Sequence, residues 1–277
     1  MGLRINTNVA AMSARRALSH TSEDLKTSYS RLSSGNRITS AGDDAAGLSI
    51  SENLRAQVRS MKQAERNAND GISFVQVAEG GMGEIGNILV RLRELSIQAA
   101  SDTVGDTERG FINQEFQSLL QEVDRIANVT TFGGTSLLNG EAGHDLEFQV
   151  GIRNNEADRI LFKVSENDLR SDSLGVSGIS SETIDSARSA LDNIDQGMAK
   201  VSEARAKMGA MQNKMHSTVN NLLIARENLD QARSRIADAD IAEESSELVR
   251  NNILQQAGVA VLAQANQAPF SALKLVA

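Results

Sequence analysis

"ARSALDNIDQGMAKVSEARAKMGAMQNKMHSTVNNLLIARENLDQARSRI" runs from Ala187 to Ile236. Within it Ala187, Ile194, Val201, Met208, Met215, Leu222, Leu229 and Ile236 stand seven apart, eight consecutive apolar residues. A sustained apolar heptad predicts a coiled-coil helix. At 1.5 Å per residue such a helix is about 75 Å long, which suits a rod rather than a compact domain. A partner row lies upstream. Leu54, Met61, Ala68, Val75, Met82 and Leu89 share the spacing, and Ala64, Ala78, Ile85, Leu92 and Ala99 form a companion row broken only at Gly71.

Composition agrees. The 277 residues include no Cys, no Trp, one Tyr and one Pro. A single Pro permits long uninterrupted helices, because Pro removes a ladder hydrogen bond. Without Cys, a disulfide framework and a thiolate metal site are both excluded. With 3% aromatics, the core must come from Leu, Ile, Val, Met and Ala, which suits narrow helix seams. Net charge is −8, and Lys and Arg are interspersed with acids, so no basic face points to nucleic acid. The N-terminal stretch carries Arg4, Arg15 and Arg16 without an apolar run, unlike a secretory signal peptide.

Between the heptad segments the period changes. Ile112, Phe116, Leu119, Val123 and Ile126 predict a shorter amphipathic helix, followed by a turn-rich loop, "TTFGGTSLLNGE". Leu146, Phe148, Val150 and Ile152 then alternate with polar residues, as do Ile160, Phe162 and Val164, with "RNNEAD" between. Alternation on either side of a turn predicts a β-hairpin. Ser180 or Ser181 is the expected cap of the return helix. Ile5, Val9, Met12, Leu18, Leu25 and Leu32 predict an N-terminal helix closed by Gly35, and Asp43 or Asp44 is the expected cap of the next. "EGGMGEIG" sets Gly80, Gly81, Gly83 and Gly86 inside the first heptad helix. Because Met82 keeps the row, a continuous helix is expected.

The chain closes on "NNILQQAGVAVLAQANQAPFSAL", Asn251 to Leu273: 23 residues without a charge, thirteen apolar and seven Asn or Gln. Seven amides argue against a bilayer span, because each needs a partner in hydrocarbon. The layout is nearly palindromic. The expected fold is mainly α: a long antiparallel coiled-coil helical rod with a small β-hairpin module at about 130–180, and terminal helices paired at one end. One partner cannot hide every face of so apolar a helix, and apolar surface left over marks an association site. Contacts that do not close give open filaments.

These residues resemble bacterial flagellin. "INTN" (Ile5 to Asn8) resembles the family's opening, and "RLSSGNRI" (Arg31 to Ile38) and "AGDDAAGLSIS" (Ala41 to Ser51) its most recognisable block. "RNANDGIS", "RLRELSIQAAS" and "EVDRIA" continue it, and "ILQQAGVAVLAQANQAP" (Ile253 to Pro269) resembles its C-terminus. The resemblance implies a structural subunit that self-assembles into the flagellar filament for swimming motility. Residues 1–42 with 237–277 would be inner-tube helices, and 43–236 the outer-tube rod. Only about 40–50 residues separate the two matching halves, which implies a short form without variable outer domains. The polymerisation interface would include Ile5, Val9, Met12, Leu254, Val259, Leu262 and Leu273, with amides such as Gln255, Gln264 and Asn266 crossing interfaces or facing a lumen.

The implied partners are further copies of the chain, an export chaperone at the C-terminal helix, and filament cap and hook-junction proteins. A Toll-like receptor that senses flagellin is a further one, contacting Arg91, Leu95 and Glu115 where the monomer exposes them. The implied location is the extracellular filament, reached by export without signal cleavage. A hook–filament junction protein and a soluble coiled-coil adaptor are the alternatives. The first shares the N-terminal pattern but diverges at the C-terminus, and the second does not account for the uncharged end. No enzyme, metal or cofactor is expected. His20, His144 and His216 lie far apart in sequence, and Asp43 and Asp44 read as helix caps rather than an acid–base pair.

Overall fold

The computed structural model describes residues 7–141 and 145–276, with side chains up to residue 267. Six helices follow in order: α1 Val9–Ser34, α2 Ala45–Ala99, α3 Asp106–Val129, a short α4 Ser171–Leu174, α5 Ile184–Ala237 and α6 Ile241–Val276. Two small antiparallel sheets lie between α3 and α4: β1 Thr131–Phe132 with β2 Thr135–Ser136, and β3 Leu146–Gln149 with β4 Arg159–Phe162. The chain divides into two compact units, residues 59–226 and residues 1–58 with 227–277. The division falls inside α2 and α5, beyond the helix ends near residues 42 and 237 where the sequence suggested it.

In the unit of residues 59–226 the heptad rows are the core. Ala68, Val75, Met82 and Leu89 of one row, and Ala78, Ile85, Leu92 and Ala99 of its companion, are wholly buried. Ala187, Ile194, Val201, Met208 and Met215 meet them from α5. The helices run antiparallel, because partners descend along one as they ascend the other: Glu65 pairs with Arg226, Glu79 with Arg205 and Arg93 with Asp195. Burying each Leu, Ile, Val or Met contributes roughly 1.5–3 kcal/mol, so this seam dominates the unit's stability. Gly71 breaks its row for a physical reason: a Cβ there would lie 2.8 Å from Met215 Cε.

Helix α3 packs on the same seam through Ile112, Phe116, Leu120 and Val123. The hairpin covers the next part. Leu146 faces Phe162 and Phe148 faces Ile160, while Glu147 and Leu161 point outward. Phe74 of α2 meets Phe132, Phe148 and Phe162 edge-on, with ring centroids 5.7, 5.4 and 4.7 Å away. Such pairs add about 0.5–1.5 kcal/mol beyond their area. The stretch expected as a plain loop is a second, tight hairpin: Gly133 and Gly134 both have positive φ, as a type I′ turn requires.

The cap of α5 corrects the expectation of Ser180 or Ser181. Thr183 caps the helix: its hydroxyl accepts from the Ser186 N–H, and the Ser186 hydroxyl accepts from the Thr183 N–H in return. Ser181 is buried instead, with its N–H donating to Asn113 Oδ1 of α3.

In the other unit, Gly35 closes α1 in the left-handed conformation at φ 71°. Asp44 caps α2 by accepting from Gly47 N–H at 2.8 Å, and Asp43 accepts the N–H groups of Thr39 and Ser40, each at 2.9 Å. Those N–H donors, Ser40's first, hold the Asp43 carboxyl below its ordinary range. Asp240 caps α6 through Ala242 N–H. The two connections are stitched together. Arg37 N–H donates to Ala237 O, Ala239 N–H donates to Gly35 O, and the Arg37 guanidinium holds Ile236 O.

Helix α2 passes through its four glycines unbroken. Only Gly81 meets a close neighbour, since a Cβ there would sit 2.7 Å from Thr130 Oγ1 and 2.8 Å from Leu138 Cδ1. A Cβ at Gly80 would meet nothing. Gly80→Ala should therefore raise the subunit's stability by about 1 kcal/mol through helix propensity. Gly81→Ala should lower it by about 1–3 kcal/mol through overpacking. Urea unfolding of the two variants measures the difference, and equal effects would contradict the packing. A depressed carboxyl pKa stabilises the folded form above the ordinary Asp range, and that contribution disappears as pH falls through the lowered value. In a 13C titration, the Asp43 carboxyl should have a midpoint below 3.8. A midpoint at or above that value would contradict the turn.

Candidate functional site

Helices α1 and α6 pair antiparallel. Asn8 caps α1 by accepting Ala11 N–H and donates its side-chain N–H to Ala265 O at 2.7 Å. Arg31, at the far end of α1, reaches Glu244 near the start of α6 at 3.5 Å. Between them Leu18 packs against Gly258, where a Cβ would lie 3.4 Å from Leu18 Cδ1. Leu25 and Asn251 are buried in this seam.

The pair hides little else. Among the described residues of its unit, the buried apolar side chains are Ala11, Leu25, Ile38 and Ala237. Val9, Met12, Ile253, Leu254, Val259 and Val261 are 50% to 63% exposed, and Tyr29, Ile50, Ile241 and Val249 are exposed too. Apolar residues project from several faces of α6 along its uncharged stretch from Asn251. Leu262 and Gln255 are half-buried, and Gln264 and Asn266 are exposed. Exposed apolar side chains in such number are a feature shared with interaction surfaces. No helix among the described residues is long and apolar enough to cross a membrane. Of the residues expected at this surface, Val9, Met12, Leu254, Val259 and Leu262 lie on it. Ile5 and the side chain of Leu273 fall outside the described residues, as does His144.

The second expected site lies on the other unit. The Arg91 guanidinium donates to Glu115 at 2.8 Å and to Glu94 at 3.1 Å, joining α2 to α3. These bonds, Glu115's first, push the Arg91 pKa up. Both side chains are about half exposed. Leu95 is not with them at the surface. It is 2% exposed, in the core with Leu92 and Phe116, because α3 returns across that face of α2. The expectation of a Leu95 exposed in the monomer is therefore corrected: it belongs to the core. Phe111, one helical turn before Glu115, is 68% exposed and supplies the apolar surface there.

Arg109 was not anticipated. Its side chain is buried, and its guanidinium holds Ala99 O at 2.9 Å, Val104 O at 2.7 Å and Asp106 at 2.7 Å. It thus satisfies Ala99 O, which the end of α2 leaves without a helical partner, and Val104 O in the loop that follows. His20 and His216 are each exposed.

Comparison with known proteins agrees with this architecture. The profile of the bacterial flagellin N-terminal helical region matches residues 5–142, and that of the C-terminal helical region matches residues 191–276. A flagellin of Halalkalibacterium halodurans is 43% identical over 273 residues, spanning 98% of this chain and 99% of that one. A flagellin of Bacillus subtilis is 39% identical over 303 residues, spanning 99% and 100%. The crystal structure of Bacillus cereus flagellin superposes with a TM-score of 0.51 at 28% identity, covering 57% of this chain and 88% of that one. The C-terminal family match runs through α6 to residue 276. The chain belongs to the bacterial flagellin family, in a short form, and is a structural subunit of the flagellar filament.

Proposed function

We propose that the α1–α6 pair is the polymerisation element, and that Val9, Met12, Leu254, Val259 and Leu262 make dry contacts with neighbouring copies in the filament's inner tube. The observation that supports this is the mismatch within residues 1–58 and 227–277: few apolar side chains buried, and many exposed on α1 and α6. The exposed amides Gln264 and Asn266 suit interfaces or a lumen in which few fixed charges hold passing chains. The same apolar helix is the surface an export chaperone would cover before assembly, with cap and hook-junction proteins meeting the filament's ends. Export would proceed without signal cleavage. A role met by burial alone asks for no catalytic group.

Arg91 and Glu115 support a receptor contact on the other unit, with Phe111 beside them as its apolar part. Arg91→Ala and Glu115→Ala should each weaken activation of a flagellin-sensing Toll-like receptor reporter by about tenfold, the scale of a 1.4 kcal/mol contact. Unchanged activation by both variants would remove this reading.

Leu254→Asp tests the polymerisation element. Leu254 is half exposed in the subunit, so the change should leave subunit stability within about 0.5 kcal/mol. In a dry contact an unpaired carboxylate costs several kcal/mol. Seeded growth followed by electron microscopy should show no filaments from Leu254→Asp or Leu262→Asp, with unchanged helical circular dichroism of the subunit. Normal filaments from both would sink the proposal.

A further inference from the structure

The chain holds eight methionines, and the structure treats one of them differently. Met82, Met208 and Met215 are buried in the α2–α5 seam, and Met61, Met198 and Met211 are half-buried. Met12 is 57% exposed, the one exposed methionine among the described residues. It lies on α1 next to buried Ala11 and about one turn from exposed Val9, on the helix that pairs with α6. A thioether that peroxide can reach is thus placed where the polymer needs an apolar side chain.

We propose that Met12 is an oxidant-sensitive modification site that controls whether a subunit can enter the filament. The inference rests on the assembly role of this surface. The chemistry needs only a peroxide. The Met12 sulfur attacks one peroxide oxygen, the S–O bond forms and the O–O bond breaks. The departing oxygen takes up the proton and leaves as water. Sulfur loses two electrons to the peroxide and becomes a sulfoxide. No base is needed, so the step does not depend on a neighbouring titratable group. The sulfoxide is polar and strongly hydrogen-bonding. In the free subunit it stays in water. In a dry contact it is a desolvated acceptor without a partner, the kind of group that interfaces exclude. Every subunit carries the lesion at the same contact, so each addition step is weakened alike. Once assembled, the neighbouring copies shield Met12, and the filament resists the reagent that disables its precursor. Met82, Met208 and Met215, buried in the α2–α5 seam, stay out of reach in both states, and the half-buried Met61, Met198 and Met211 are less open than Met12.

The test exposes free subunits and finished filaments to hydrogen peroxide and maps sulfoxides by peptide mass spectrometry. Oxidised subunits are then added to untreated seeds. Met12 should be the first described methionine oxidised in the free subunit, and its oxidation in filaments should be at least tenfold slower. Oxidised subunits should need about a tenfold higher concentration to elongate, and Met12→Leu subunits treated identically should elongate normally. Oxidation of other methionines ahead of Met12, or an equal loss of assembly in treated Met12→Leu, would overturn the proposal. If Met12 oxidises first yet assembly is unimpaired while Leu254→Asp blocks it, the switch is wrong and the assembly surface stands. If Leu254→Asp assembles as well, the surface itself is wrong.

Discussion

Two antiparallel helices can cover only one face of each other, and that limit governs this protein. Helix α6 carries apolar residues on several faces, so its pairing with α1 leaves Ile253, Leu254, Val259 and Val261 in water. Within one chain the exposure is a cost. On the proposal that neighbouring copies cover these residues, the same exposure would favour association, because apolar area removed from water is worth about 25 cal/mol per Å². The absence of charge between Asn251 and Leu273 follows from the same limit, since a charge there would have to be desolvated at each contact.

Residues 59–226 are built on the opposite terms. There α2, α3 and α5 give each apolar row a partner, and the hairpin closes the remaining side over Phe74. Polar groups there bind the ends of segments. Arg109 gathers the carbonyls where α2 stops, Asp124 accepts the backbone N–H and hydroxyl of Ser171, and Asn113 accepts from Ser181 N–H. These bonds fix how the middle segment folds back onto the helices, which lets α2 and α5 meet in register. With its heptad rows buried, this unit still presents surface features, such as Arg91 with Glu115 and the exposed Phe111 and Ile224.

Much of this was legible in the residues. Periodicity located the seam because burial along a helix repeats with its turn: every member of the two α2 rows from Ala68 to Ala99 is buried. Gly35 was legible because the left-handed conformation that ends α1 favours glycine. What was missed depends on groups distant in sequence. In "SSET" several residues can cap a helix, and Asn113 decides among them by engaging Ser181 and leaving Thr183 free to cap. Leu95 reads as surface until α3 is known to cross it. Arg109 reads as one more solvated arginine until the carbonyls around it are seen. In α6 the uncharged run that begins at Asn251 marked the stretch where Ile253, Leu254, Val259 and Val261 stand exposed.

The central claim is that α1 and α6 are completed by other copies, whereas residues 59–226 are complete alone. Amide hydrogen exchange of free subunits and filaments compares the two most directly, because exchange reports local opening segment by segment. Amides of α1 and α6 should exchange rapidly in the free subunit and slow by about a hundredfold or more in the filament, roughly 2.7 kcal/mol of added protection. Those of the α2–α5 seam around Val75, Met82 and Ile194 should be protected alike in both. Equal protection of α1 and α6 in subunit and filament would show that the pair stabilises itself, and the account would fail.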